Sequence, residues 1–248
     1  MTLSTLCLST VLSCLAPQEE SAVQAPAPHY FVGSSTKICQ LTGERDLPRR
    51  IHTRSRTVTQ AGLRGTDLGS SFEHNGKLWF LFGDSQGRPG LVDAMAWTEA
   101  TTAEELELHF PLAEDGRFRP IAIPGVAMGA YEVPSHGISI DDVMYLVSTA
   151  GHSRQKTMLR SLLSRSTDDG ASFEVVREFS SDAFINVALV RAERSRFPSL
   201  PADDVVLVFG SGDYRRSNPK LAYARSDEFG RKGALRYWSG SSDGEPVW

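Results

Sequence analysis

Apolar residues along this chain come in short runs cut by Gly, Asp and Asn, and the longer periodicity of amphipathic helices is nearly absent. The clearest element is a hairpin: Ser70-Ser71-Phe72-Glu73-His74, then Asn75-Gly76, then Lys77-Leu78-Trp79-Phe80-Leu81. Asn-Gly is a strong short hairpin signal because a type I′ turn needs φ > 0 at both central residues. With a two-residue loop, paired residue numbers sum to 151, so His74 faces Lys77, Phe72 faces Trp79 and Asp67 faces Asp84. The one fair helix candidate is Thr102–His109, and Arg154–Ser164 is a weaker one.

Three stretches resemble one another: Lys77–Asp84, Asp142–Ser148 and Asp204–Ser211. Each follows a polar turn and ends in a small or polar residue, with Phe82, Val147 and Phe209 in equivalent places, 65 and 62 residues apart. A repeat of that length holds one four-stranded sheet and a long loop, which predicts an all-β chain built as a β-propeller. A β-sandwich is the alternative. Ser166-Thr167-Asp168-Asp169-Gly170-Ala171-Ser172-Phe173 supports the propeller. It resembles the Asp-box of sialidases and related propellers, Ser-x-Asp-x-Gly-x-Thr-Trp, in which Asp and Gly stabilise a turn between outer strands. Asp168 is therefore structural. The roughly 219 residues from Tyr30 to Trp248, at roughly 63 per blade, make about three and a half blades, short of a closed ring. The expectation is a propeller domain over residues 31–248 that lacks its C-terminal part.

The full chain has 248 residues, 40% hydrophobic and 23% charged, with net charge −4. There is no basic stripe, which argues against a nucleic-acid partner. The apolar run Leu3–Ala16 is too short to span a bilayer and reads as an export signal over residues 1–17, followed by an Ala- and Pro-rich linker over 18–30. The expected location is secreted or periplasmic, with Cys14 offering lipoprotein anchoring as the alternative. Of three cysteines only Cys39 lies beyond this leader, and it is expected to be a small buried strand residue. The six His show no His-x-x-x-His pair, so no metal site is expected, although calcium in a propeller channel stays open. No Walker or Gly-x-Ser-x-Gly sequence occurs.

Candidate chemistry centres on Asp67, in Gly65-Thr66-Asp67-Leu68-Gly69, and Asp84, in Phe82-Gly83-Asp84-Ser85. Residues directly opposed across a hairpin have Cβ atoms roughly 4.5–5.5 Å apart, and like charges placed so are destabilising. Their mutual repulsion favours one protonated and one ionised carboxyl, the combination that glycoside hydrolysis uses. The bland alternative is that Asp67 caps a turn and Asp84 makes an Asx-turn, and a small bulge would break the ideal register. Glu132 precedes the second repeat as Asp67 precedes the first, and is a candidate third carboxylate; otherwise it is an exposed residue before a Pro turn. His136, Asp213, Tyr214 and Arg215 are candidates for contacts to sugar. Trp79 and Phe80 are expected to pack in the core and between blades; Trp97 and Trp238 are expected to be buried, with stacking platforms for a sugar as the alternative.

Lys37–Gly43, Gly65–Gly69, Leu81–Asp84, Phe209–Tyr214, Tyr237–Gly240 and Pro246–Trp248 occur in this order. Together they resemble a bacterial propeller family, a domain of unknown function some of whose members are endo-D-arabinanases. The resemblance covers about Thr36 to the end. It implies a five-bladed propeller, with Asp67 and Asp84 in the positions of the catalytic carboxylates. Asp67 would be base or nucleophile and Asp84 the acid, though the roles could be exchanged. The expectation is a monomeric glycoside hydrolase acting on a polysaccharide or oligosaccharide, such as D-arabinan, without a cofactor. A non-catalytic glycan-binding propeller and a cell-envelope interaction module are the alternatives.

Overall fold

Alternation of apolar residues builds three antiparallel sheets along the chain. The computed structural model describes residues 31–248, apart from 89–91, 129–130, 156, 215 and the side chain of Leu68. The expected signal segment and the linker lie outside the described residues. Residues 31–36 belong to an N-terminal unit of their own, where the Ser34 N–H closes a turn on the Phe31 carbonyl at 2.9 Å.

The main unit, Lys37–Trp248, begins with a short hairpin, β1 (Arg45–Asp46) and β2 (Ile51–His52), and one helical turn, α1 (Thr57–Ala61). The first sheet is β3 (Gly65–His74), β4 (Lys77–Gln86) and β5 (Val92–Thr98). The second is β6 (Pro134–Ile140), β7 (Val143–Ala150), β8 (Arg160–Ser166) and β9 (Glu174–Ser180). The third is β10 (Asn186–Glu193), β11 (Asp204–Ser211), β12 (Lys220–Arg225) and β13 (Arg236–Tyr237). A last hairpin pairs β14 (Gly240–Ser242) with β15 (Glu245–Val247). Within each of the three sheets, sequence order is spatial order. Their first strands lie side by side, β3 against β6 and β6 against β10.

The three repeats fall on β4, β7 and β11, the second strand of each sheet. Their period-two alternation feeds both sheet faces. On β4, Trp79 and Leu81 pack towards the second sheet with Met95, Met144, Leu146 and Phe173. Phe82 faces the other way, into a cluster with Leu63, Ala94, Leu108 and Phe118. On β7, Val147 joins Ile138, Leu163, Val187, Val206 and Val208 between the second and third sheets. Each fully buried side chain of this size contributes roughly 1.5–3 kcal/mol, so these clusters hold the sheets face to face.

The β3–β4 turn has the expected form, with Asn75 at φ 48° and Gly76 at φ 72°. The β6–β7 turn repeats it with Asp141 at 49° and Asp142 at 62°. The Asp-box likeness also translates into geometry. Ser166 Oγ–H donates to Asp168 Oδ1 at 2.7 Å, and Ser172 N–H and Oγ–H donate to Asp168 Oδ1 and Oδ2 at 2.8 and 2.6 Å. These bonds, those to Ser172 foremost, pull the Asp168 carboxyl down to about 2. Phe173 is buried beneath the turn.

Several expectations are corrected. Thr102–His109 is not a helix beyond the single 3₁₀ turn Ala103–Glu105. His109 instead bridges to Trp97 on the edge of the first sheet, with N–H···O distances of 2.9 and 2.8 Å. The Arg154–Ser164 segment supplies most of β8, because backbone pairing to both β7 and β9 overrides a weak helical pattern. Cys39 is half-buried and outside any strand, with Sγ 3.8 Å from the Ala103 carbonyl. Trp79 is buried as expected, but Trp238 is 47% exposed.

Candidate active site

Asp67 and Asp84 reach the same cavity, though not by the register expected. Hairpin pairing follows the ideal sum from His74↔Lys77 through Ser70↔Leu81 and again at Gly65↔Gln86. Between these points it slips, and Asp67 pairs with Gly83 rather than Asp84. The β4–β5 ladder is irregular at the same place, between Phe82 and Ser85. Asp84 sits at this irregularity with φ 43°. A left-handed residue in a strand bends the chain and re-aims its side chain, and Asp tolerates that conformation better than most. Both carboxylates thereby line one cavity of about 390 Å³ with Gly69, Tyr131, Ser135, Asn186 and Tyr214 among its walls. Asp67 is exposed to it and Asp84 half-buried.

Behind Asp84 stands a carboxylate that pattern reading missed. Asp93, on β5, is 1% exposed. Burial, then the negative charge of Asp84, and more weakly that of Glu132, push its carboxyl up to about 7, against the pull of a hydrogen bond from the Asp84 backbone N–H. Asp84 Oδ1 and Asp93 Oδ2 are both buried with no hydrogen-bond partner among the described residues. In the sequence Asp93 lies inside Val92-Asp93-Ala94-Met95-Ala96-Trp97, where an acidic residue flanked by apolar ones was the available signal.

Glu132 is not the exposed residue of the bland reading; it is 3% exposed. Its Oε1 accepts the His152 backbone N–H at 3.0 Å and the His152 Nδ1–H at 2.6 Å. Asp213 does a similar job nearby, accepting Thr157 Oγ1–H at 2.6 Å and the Met158 N–H at 2.9 Å on Oδ1, and Arg216 at 3.0 Å on Oδ2. The two carboxylates thus pin both ends of the segment from His152 to Met158, and Met158 lines the cavity. Asp213 acts as a loop anchor, while its neighbour Tyr214 is a wall residue, at φ 49°. Asn186 Nδ2–H braces that wall by donating to the Gly212 and Tyr214 carbonyls at 2.8 and 3.2 Å. Arg215 lies outside the described residues.

His136 is not gathered into this cavity. It lines a separate, wider recess of about 1180 Å³ beside the β3–β4 and β6–β7 turns, with Lys77, Glu99, Asp141 and Arg191. Its Nδ1 lies 2.8 Å from the Gly137 carbonyl, and burial pushes its pKa down. Trp97 lies half-buried under the Lys77 ammonium, 5.0 Å from its ring.

The fold and site define an all-β chain of several sheets with a carboxylate-lined cavity at the start of its first strands. The chain belongs to the family described as Domain of unknown function (DUF4185), whose model matches residues 52–248. No curated protein sequence matches it. Among solved structures it is similar to Zg3597, a family 117 glycoside hydrolase produced by the marine bacterium Zobellia galactanivorans, at 11% identity and a TM-score of 0.44. That match covers 76% of this chain and 49% of the other. A structure described as a glycoside hydrolase aligns at 9% identity and a TM-score of 0.36, over 73% of this chain and 61% of that one. A BT0996 complex with RGII aligns at 10% identity and a TM-score of 0.37, over 71% and 56%. The chain therefore spans about half the length of the first of these structures. Among the described residues no helix is long and apolar enough to cross a membrane.

Proposed function

We propose that the three sheets are consecutive blades of a five-bladed propeller and that the chain is a secreted glycoside hydrolase cleaving furanosidic linkages, with D-arabinan as the substrate class. The observation that carries this reading is the joint presence of Asp67 and Asp84 on the wall of one cavity, with Asp93 buried behind. Glycoside hydrolysis needs one carboxyl to protonate the leaving oxygen and another to activate water or attack the sugar. Asp67, exposed and flanked by Gly65 and Gly69, suits the base or nucleophile. Asp84 suits the acid: it is half-buried, one oxygen has no hydrogen-bond partner among the described residues, and Asp93 beside it tends to hold a proton near neutral pH.

The test is hydrolysis of D-arabinan and, in parallel, L-arabinan, by the chain in its natural full-length context and by its Asp67→Asn and Asp84→Asn variants. Release of oligosaccharides from D-arabinan, reduced by about 10²-fold or more in both folded variants, is the expected outcome. A folded protein that binds these glycans without cleaving them would replace the hydrolase reading with a glycan-binding one.

A further inference from the structure

The cavity has a second polar wall that the hydrolytic chemistry leaves unused. Tyr131 lines it, 45% exposed, with its backbone in the left-handed region at φ 72°. That conformation is rare for a bulky residue and is held where the surroundings over-determine it. Here the Thr149 Oγ1–H donates to the Tyr131 carbonyl at 2.6 Å. The Tyr131 ring lies 6.1 Å from the His152 imidazole, tilted by 56°. The His152 side chain is 48% exposed, while that of Glu132, which holds it, is 4% exposed.

Burying a carboxylate is costly unless it is hydrogen-bonded. Glu132 meets that cost by fixing one imidazole. A carboxylate oxygen can only accept, so Nδ1 carries the proton in this contact and, in the neutral imidazole, Nε2 across the ring is left as an acceptor. An exposed aromatic face on the cavity wall therefore stands next to a half-exposed imidazole that Glu132 fixes, His152 lying beside Tyr131 rather than in the cavity lining itself. That combination suits a neutral sugar ring, which offers an apolar C–H face and a rim of hydroxyl donors.

We propose that Tyr131 and His152 form a sugar-binding subsite flanking the carboxylates, in which one furanose residue of the glycan packs on the Tyr131 ring and donates a hydroxyl to His152 Nε2. Glu132 is its positioning residue. The proposal rests on reading this cavity as a glycan site.

The experiment measures binding of a D-arabinofuranose oligosaccharide by calorimetry in an Asp67→Asn background, and KM and kcat with Asp67 intact. Tyr131→Asn removes the ring yet suits the left-handed backbone. His152→Ala keeps the backbone N–H to Glu132. Each is expected to weaken binding and raise KM about tenfold, the effect of losing one good contact, with kcat changed less than about twofold. Tyr131→Phe retains the ring and should retain affinity, which a merely altered fold in Tyr131→Asn would not explain. Hydrolysis with KM unchanged in both variants would overturn the subsite and leave the hydrolase reading standing. Weakened binding in both variants, with no hydrolysis by the unaltered protein, would support the subsite and overturn the hydrolase. No binding by the unaltered protein would overturn both.

Discussion

Asp84 gives its backbone N–H to the carboxylate of Asp93, and each of the two side chains keeps one buried oxygen with no hydrogen-bond partner among the described residues. A carboxylate at the start of β5 is thereby made to titrate with the site. Its folded pKa, about 7, lies above the unfolded value near 3.8, mainly through burial. Between those pH values the folded state holds a proton that the unfolded state has lost. Stability from this group is therefore full at and below about pH 4, falls as pH rises to about 7, and stays reduced above. The size is on the order of 4 kcal/mol. Asp93→Asn removes this dependence. Urea unfolding at pH 5 and pH 8.5 should show the variant gaining on the unaltered protein at the higher pH; an equal difference at both would contradict the assignment.

His74 joins the first two sheets. It is buried, with Nδ1 2.8 Å from Ser139 Oγ and Nε2 donating to Asp169 Oδ1 at 3.0 Å. Asn75 Nδ2–H donates to the same oxygen at 2.8 Å. His74→Ala leaves those groups to find water and opens a gap between sheets. Thermal unfolding should register a loss of about 1–3 kcal/mol, with no change in glycan affinity, because the contact lies away from the cavity.

Asp168 organises the turn beneath Phe173 through hydrogen bonds to Ser166 and Ser172. The group is exposed, so solvent screens much of its benefit. Its pKa is lowered from 3.8 to about 2, so its contribution is present above about pH 4 and is lost as pH falls towards 2. Asp168→Ala should destabilise by about 1 kcal/mol at pH 7 and by less at pH 2.5, measured by denaturant titration.

Gly137 and Gly210 let aromatic rings lie against strand backbone. A Cβ at Gly137 would come 2.2 Å from Phe72 Cε1, and one at Gly210 would come 2.1 Å from Phe184 Cδ1. Gly137→Ala and Gly210→Ala should each cost about 1–3 kcal/mol, since the ring must leave its rotamer or the sheets must part. Pairing Gly137→Ala with Phe72→Leu should recover part of the loss in a double-mutant cycle; strict additivity would show that the ring is not the obstacle.

Local signals carried much of the fold. The Asn75-Gly76 turn, the three similar second strands and the Ser166–Phe173 turn are each set by nearby residues, and each is found where the sequence puts it. The register at Asp67 was not legible, because one slip of the ladder depends on how β4 meets both neighbours. Asp93 was marked only by its apolar neighbours: its environment is created by the bend at Asp84 on the adjoining strand, a contact that no helical or strand period announces. Glu132 could be singled out by its place before the second repeat. Its partner His152 could not, since a loop return decides that contact.

The side-by-side order of first strands sets how this molecule can come apart. β6 touches β3 on one side and β10 on the other, so the middle sheet shares two interfaces. Opening it alone would forfeit both. Amide protons of β6 should then be among the slowest to exchange, like those of a plate gripped from both sides.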